Sequence, residues 1–512
     1  MCKRFVSGLM VILCGALCVP ATVAAAERHV VVVVWDAMRP DFVTEKNAPN
    51  LCALARSGVT FANHHSVYLS ATEVNGTAIS TGAYPARSGI ISNHEYRPDI
   101  DPLKAINTEE IKAVRKGDQV MPSGYLAVPT VAERVQAAGK TTAVAGAKPV
   151  ALLADRSADR TKANGSVIFA GSTLPTNLEA TLVQKLGPFP KEGVGARTRN
   201  DWATDALLES LWDSGVPDFS LLWLNEPDSS QHATGPGSAR SLAAIHNADE
   251  NLGKVLKALE AKGVRDSTDV IVVSDHGCST ITKIAELAND LNAAGIKAVR
   301  EFKAKPNPGD VLVVANSGSS LIYVIGRERK VIEQVVSFLQ GWKYTGVIFT
   351  RAALPGTFPM SQAHLDSPDA PDILISMRWT VEKNTNGAPG MLITEHSGNG
   401  PNKGSHVSLS PYDMHNTLIA AGPDFKVGVT NSTPSGNVDI APTVMYLLGI
   451  PVMQKPMDGR VLTEALRRWG GENSSKQQHL EAKVTGWQQY LDVSAVGAVE
   501  YCDEGNGAQT ER

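Results

Sequence analysis

An α/β fold, with a mostly parallel central sheet flanked by helices, is predicted by three features of the sequence. Apolar runs bounded by turn residues alternate with amphipathic stretches, as strands and crossover helices do in such folds. Several runs are rich in Val and Ile and apolar on both faces, as strands covered from both sides should be. Three of them end directly in Asp or in an acidic turn that carries His, at the carboxyl edge where α/β sheets bind ligands.

Residues 1–26 read as a secretory signal. Lys3 and Arg4 precede the apolar run from Phe5 to Val19, and Ala24, Ala25 and Ala26 supply the small residues of a cleavage site. The expected compartment is therefore the periplasm or the exterior. No stretch of about 20 apolar residues follows, so no membrane span is expected in the mature chain.

Strands are expected at 29–35, 141–144, 219–224, 269–274, 372–376 and 417–421, and helices at 48–56, 128–138, 243–262 and 440–448. Residues 97–124 are polar and loop-like. The stretch 282–400 mixes strand and helix signals with Gly/Pro/Asn-rich segments such as 384–390, and reads as an inserted cap or accessory subdomain. This divides the mature chain into a core of 27–281 and 401–476, the insertion, and a C-terminal helix and tail at 477–512.

Of the 512 residues 43% are hydrophobic and 20% charged, an ordinary globular composition. Loss of Lys3 and Arg4 with the leader takes the formal charge from −4 to −6. Such acidity excludes a reader of nucleic-acid backbones, which needs a basic face. Cys52, Cys278 and Cys502 remain, too few for a disulfide framework although one bridge is allowed.

Three strands deliver hard ligands to one rim. The run ending at Trp35 leads into Asp36, the run ending at Leu224 into Asp228 with His232 four residues on, and the run ending at Ser274 into Asp275 and His276. Carboxylate plus neutral imidazole suits Zn²⁺, with Mn²⁺ or Fe also compatible. Thr72 opens a helix-like stretch ending near Thr81-Gly82. There, free N–H groups favour an alkoxide or a bound phosphate, although an N-cap role for Thr72 or Ser70 fits the local pattern equally.

The ordered set Asp36, Thr72, Asn93, Asp228, His232, Asp275, His276 and His406 resembles the alkaline phosphatase superfamily. Its closest branch is the type I phosphodiesterase/nucleotide pyrophosphatase group. Supporting stretches are Trp-Asp36-Ala-Met-Arg-Pro-Asp, Glu226-Pro-Asp-Ser-Ser-Gln-His232, Ser274-Asp-His-Gly277, Gly404-Ser-His406 and Ala421-Gly-Pro-Asp-Phe425. These motifs span roughly residues 28–280 and 400–452 and leave the insertion largely uncovered. The resemblance implies an alkaline-phosphatase-like core that hydrolyses a small-molecule phosphate ester with two Zn²⁺ ions. Asp228, His232 and His406 would hold one ion; Asp36, Asp275, His276 and the Thr72 oxygen would hold the other. It further implies a covalent phosphothreonine at Thr72, with Asn93 donating to a non-bridging phosphate oxygen. His406 is preferred to His415 as ligand because it follows the Gly-Ser-His pattern. His364 and His396 are expected outside the site.

Two departures bear on the substrate. Relatives in the nucleotide pyrophosphatase branch commonly follow the nucleophile with a Phe that stacks a nucleobase; in this chain Glu73 follows Thr72. Lys148, after a strand, matches loosely the place where some phosphomonoesterases and phosphonate hydrolases bind a second phosphate charge. Diester hydrolysis is thus the leading expectation, with monoester or phosphonate hydrolysis through Lys148 as the alternative. A sulfatase is excluded by the lack of a Cys/Ser-x-Pro-x-Arg context around Thr72. A cytoplasmic phosphoglycerate mutase conflicts with the leader and with a Thr nucleophile. A non-catalytic metal- or phosphate-binding protein would be expected to have lost a ligand or the nucleophile, and every position is filled.

Overall fold

The computed structural model describes Met1 and residues 28–156, 164–191, 198–451, 457–469 and 474–511; the expected leader, Met1 apart, lies outside the described residues. Five consecutive Val leave His29–Trp35 without a polar face, and all seven of its residues are buried. The strand sits in the middle of a nine-stranded sheet. The order is Val429–Asn431, Val59–Phe61, Leu418–Ala421, Thr268–Val273, His29–Trp35, Phe219–Leu224, Thr142–Gly146, Gly165–Phe169 and Ser172–Leu174.

Only the five strands from Thr268–Val273 to Gly165–Phe169 run parallel without interruption. Leu418–Ala421 is antiparallel to both neighbours, and Ser172–Leu174 to its single one. The sheet is therefore mixed, which corrects the mostly parallel expectation. Leu418–Ala421 is as buried as the parallel strands, and burial carries no information on direction. Ser172–Leu174 follows its partner through Ala170 and Gly171 at φ 49° and 86°, a tight turn that forces a hairpin.

Register then sets the site. Val34 lies opposite both Val273 and Trp223, so the three central strands end level. Asp36, Asp275 and the turn before Asp228 consequently emerge at one rim.

Elsewhere the structure departs from expectation in three places. The strand Ile373–Met377 belongs to a separate six-stranded sheet built from residues 298–377, not to the central one. A helix, Ile111–Val120, occupies the stretch read as loop-like. Among the described residues, the expected C-terminal helix and tail at 477–512 contain no helix: Ser475–Val484, Trp487–Val496 and Val499–Gln509 make a three-stranded antiparallel sheet. In its middle strand Trp487, Gln489, Leu491 and Val493 are buried at a spacing of two. The Gln489 amide pairs with Ile348 as a strand edge would, donating to its carbonyl (3.1 Å) and accepting from its N–H (2.8 Å).

A four-stranded sheet crosses both ends of the 282–400 stretch. Gly404–Ser405 pairs with Ser279–Ala285, which pairs in turn with Pro389–Glu395. That pairing carries His406 back to the rim. Cys52, Cys278 and Cys502 are all free thiols.

Candidate active site

The helix Thr72–Thr81 has the bounds expected for it and closes at Gly82 with φ 67°. All ten residues are buried although six are polar, so their polar atoms need partners inside the protein. Asn75 supplies several: its Oδ1 accepts the Val67 N–H (2.7 Å), and its Nδ2 donates to the Val67 and Leu69 carbonyls (3.0 and 3.2 Å). These bonds brace the segment that leads into Thr72. As the first helical residue, Thr72 has no intrahelical acceptor for its N–H.

Around Thr72 the structure assembles two ligand groups, Asp228/His232/His406 and Asp36/Asp275/His276, each with its ligand atoms within 4.8 Å of one another. They are the triads the sequence resemblance paired. Asp228 and His232 lie on the short helix Asp228–Thr234, four residues apart on one face. Their atoms lie 3.1 Å apart, and His406 Nε2 lies 3.7 Å from Asp228. In the other group His276 Nε2 is 3.2 Å from Asp275, 3.7 Å from Asp36 and 3.1 Å from Thr72 Oγ1.

The hydrogen bonding points each ligand inward. His232, His276 and His406 place Nδ1 2.9, 2.8 and 3.0 Å from the carbonyls of Gly404, Gly277 and Ser70. Donation there leaves each Nε2 as a lone pair facing the cluster, the pattern of metal-bound imidazole. The carboxylates are split in the same way. Asp36 Oδ2 accepts from Trp223 Nε1 (2.9 Å), Asp275 Oδ1 from the Ala37 N–H (3.0 Å), and Asp228 Oδ2 from Lys148 Nζ (2.8 Å). The other oxygen of each, Asp36 Oδ1, Asp275 Oδ2 and Asp228 Oδ1, is buried without a hydrogen-bond partner.

Such orphaned anionic atoms are costly unless a cation meets them. Burial, then the Asp275 charge, pushes the Asp36 carboxyl well above the ordinary range, and burial pushes Asp275 up to about 7. Burial also holds His276 and His406 below the usual imidazole value, in the neutral form that binds metal. The residues present thus fit a pair of divalent cations.

Local backbone explains why these residue types recur in this order. A Cβ on Gly277 would stand 2.0 Å from the Tyr412 carbonyl oxygen, and one on Gly404 2.6 Å from that of Gln231. Ala37 and Val407, each directly after a ligand, hold left-handed backbone at φ 61° and 73°. That conformation is unusual for Ala and costly for a β-branched residue, and such strain concentrates at functional sites.

Asn93 Oδ1 lies 3.4 Å from the Glu73 N–H, which frees its Nδ2 to donate elsewhere. Lys148 lies in the site, but its ammonium bridges the two groups, 2.9 Å from Asp36 Oδ2 and 2.8 Å from Asp228 Oδ2. Burial opposes that charge; Asp228, Asp36 and Asp275 outweigh burial and raise its pKa well above the lysine norm. Glu73 is buried, and burial followed by the neighbouring Glu109 carboxylate keeps it far above the usual carboxyl range, so it presents no stacking face. His364 stacks on Tyr84 with ring centres 4.1 Å apart, and His396 pairs with Glu286, both away from the cluster. His415 joins a different group with His65 and Asp503. Sequence reasoning missed Trp223 and Glu109, which act through contacts with residues 187 and 36 positions away.

A sequence model of the type I phosphodiesterase / nucleotide pyrophosphatase family matches residues 30–400. The match takes in the 282–400 stretch that the motifs left uncovered. Mouse ectonucleotide pyrophosphatase/phosphodiesterase family member 7 is 23% identical over 488 residues, 93% of this chain and 97% of that protein. Mouse bis(5'-adenosyl)-triphosphatase enpp4 is 22% identical over 82% of this chain and 78% of its own. Among solved structures, murine ectonucleotide pyrophosphatase / phosphodiesterase 5 superposes with a TM-score of 0.60 at 18% identity, covering 86% of this chain and all of that one.

Proposed function

We propose that this chain, a phosphoric ester hydrolase that belongs to the type I phosphodiesterase / nucleotide pyrophosphatase family, cleaves small-molecule phosphodiesters by double displacement through Thr72. The observation that carries this reading is the placement of the Thr72 hydroxyl. It stands at a free helix N-terminus, 3.1 Å from His276 Nε2 and beside the orphaned oxygens of Asp36, Asp228 and Asp275.

Two Zn²⁺ ions, one held by Asp228, His232 and His406 and one by Asp36, Asp275 and His276, would supply Lewis-acid stabilisation of the attacking and leaving oxygens. The helix N-terminus favours Thr72 as its alkoxide. Attack of Oγ1 forms the Thr72–phosphorus bond and expels one ester oxygen with its electron pair. Water then attacks the phosphothreonine and releases the remaining half as a monoester. Asn93 Nδ2 and the Thr72 N–H donate to the non-bridging oxygens as their charge grows. Asn93→Ala is expected to lower kcat by about 10²- to 10³-fold with little change in KM, as steady-state kinetics will show.

Substrate recognition rests on the groups beside the nucleophile. A base stacked on residue 73 has no support, since Glu73 is buried against Glu109. Nucleotides therefore have no privileged contact at that position, although one neighbour, murine ectonucleotide pyrophosphatase / phosphodiesterase 5 in an inactive form, is in complex with AMP. A leader at 1–26, as the sequence reads, would place this action in the periplasm or outside the cell. No helix among the described residues is long and apolar enough to cross a membrane.

Lys148 supports a second reading, in which it binds the extra charge of a monoester or phosphonate. Its two bonds to Asp36 and Asp228 favour instead a role in orienting those carboxylates. Lys148→Ala should then lower diester and monoester turnover by the same factor, about 10- to 100-fold as for other outer partners of metal ligands. A loss confined to the monoester would make it the second-charge ligand. The assay that tests the reading as a whole compares zinc-loaded protein on bis-p-nitrophenyl phosphate, p-nitrophenyl phosphate and an aryl phosphonate monoester. Preference for the diester is expected; preference for the monoester moves the chain to the second reading.

A further inference from the structure

Away from the Thr72 cluster, His65, His415 and Asp503 bring three ligand atoms within 4.8 Å of one another. We propose that they form a third divalent-cation site, of the class that imidazole and carboxylate donors give to Zn²⁺ and similar first-row metals, and that it ties the C-terminal sheet to the core. This site shares no residue with the two triads and stands whether or not Thr72 is the nucleophile.

Three parts of the fold meet there. His65 lies in the short strand His64–His65, which pairs with Ser435–Gly436. His415 follows the turn Pro411–Met414 and bridges to His65 through the backbone. Asp503 lies on Val499–Gln509, the last strand of the C-terminal sheet.

His65 repeats the inward-facing pattern of the first two sites, whereas both Asp503 oxygens already accept hydrogen bonds. His65 Nδ1 is 2.9 Å from the Ser435 carbonyl, which turns Nε2 toward Asp503 Oδ1 at 2.6 Å. Ser494 Oγ, 3.0 and 2.8 Å from the two Asp503 oxygens, fixes the carboxylate, the kind of outer partner that orients a ligand. The His415 ring lies 4.6 Å from that of His65, and among the described residues no group hydrogen-bonds either of its nitrogens. Burial, then the adjacent His65, keeps it well below the usual imidazole pKa, as the neutral ligand form.

Access and charge agree with this assignment. His415 and Asp503 open onto a cavity of about 470 Å³, lined also by Asn63, His479, Asp492 and Glu504. The cavity leaves room for the water that completes a three-residue site, and its carboxylates attract a cation.

The test is the metal content of the full-length mature protein after equilibration in a zinc-buffered solution, measured by plasma mass spectrometry. Three equivalents are expected for the unaltered chain, and two for His415→Gln and for Asp503→Asn, both of which keep diester hydrolysis. Zinc should also raise the melting temperature of an Asp228→Asn/Asp275→Asn variant, which has lost a ligand from each catalytic triad, because a ligand bound only to the folded state stabilises it. Two equivalents in the unaltered chain, or three in both variants, would overturn the proposal. If one variant fails to fold by circular dichroism, the other and the count for the unaltered chain still decide it.

Discussion

Thr72→Ala is expected to lower kcat/KM on bis-p-nitrophenyl phosphate by on the order of 10⁴- to 10⁶-fold, the scale on which removal of a covalent nucleophile acts. The same variant should keep its metal content, because Asp36, Asp275 and His276 remain. The size follows from what is lost. Thr72 Oγ1 is buried at the helix N-terminus beside the ligand cluster, so its removal deletes the atom that forms the new bond, and no neighbouring hydroxyl replaces it. Ser70, two residues earlier, donates its hydroxyl to the Ser408 carbonyl at 2.8 Å and is committed there. Thr72→Ser, which preserves the hydroxyl, should restore most of the loss. Turnover by the Ala variant near that of the unaltered chain would mean that another group attacks phosphorus.

Asp228→Asn is expected to abolish turnover to a comparable degree by a different route, with loss of one metal equivalent. Asp228 is the acidic member of its triad and carries one unpartnered oxygen toward His232 and His406. An amide keeps the shape but removes the charge that offsets a divalent cation, so the loss should well exceed the roughly 10- to 100-fold of an outer-shell change. It also releases one of the two carboxylates that hold Lys148. Metal analysis beside kinetics separates the two variants: Thr72→Ala loses rate and keeps metal, whereas Asp228→Asn loses both. An Asp228→Asn protein with full metal content and near-full rate would remove that triad from the site.

The ends of the strands explain why so much of this site is legible in the sequence. His29–Trp35, Phe219–Leu224 and Thr268–Val273 are buried on both faces and end in apolar runs, so their limits stand out, and the polar residues shortly beyond them include those the rim presents. What burial does not encode is direction, hence the error over Leu418–Ala421. The C-terminal sheet is hidden for another reason. Ser475–Val484 is largely exposed and polar, and its apolar residues alternate only over the last five positions, Leu480, Ala482 and Val484, too short a run to tell a strand from a solvated helix. Lys148 stands out for its place after a strand, but its bridging of Asp36 and Asp228 depends on three strand ends meeting in space. The same holds for His65, His415 and Asp503, which no spacing in the sequence brings together.

The most direct test of the central claim is the stereochemical course at phosphorus. A single diastereomer of a chiral phosphorothioate diester would be hydrolysed by the metal-loaded protein in isotopically labelled water and the configuration of the product determined. Each in-line displacement inverts the phosphorus centre, so attack by Thr72 followed by attack of water predicts net retention. Net inversion would show that water attacks the diester directly, and would contradict the role of Thr72 as nucleophile.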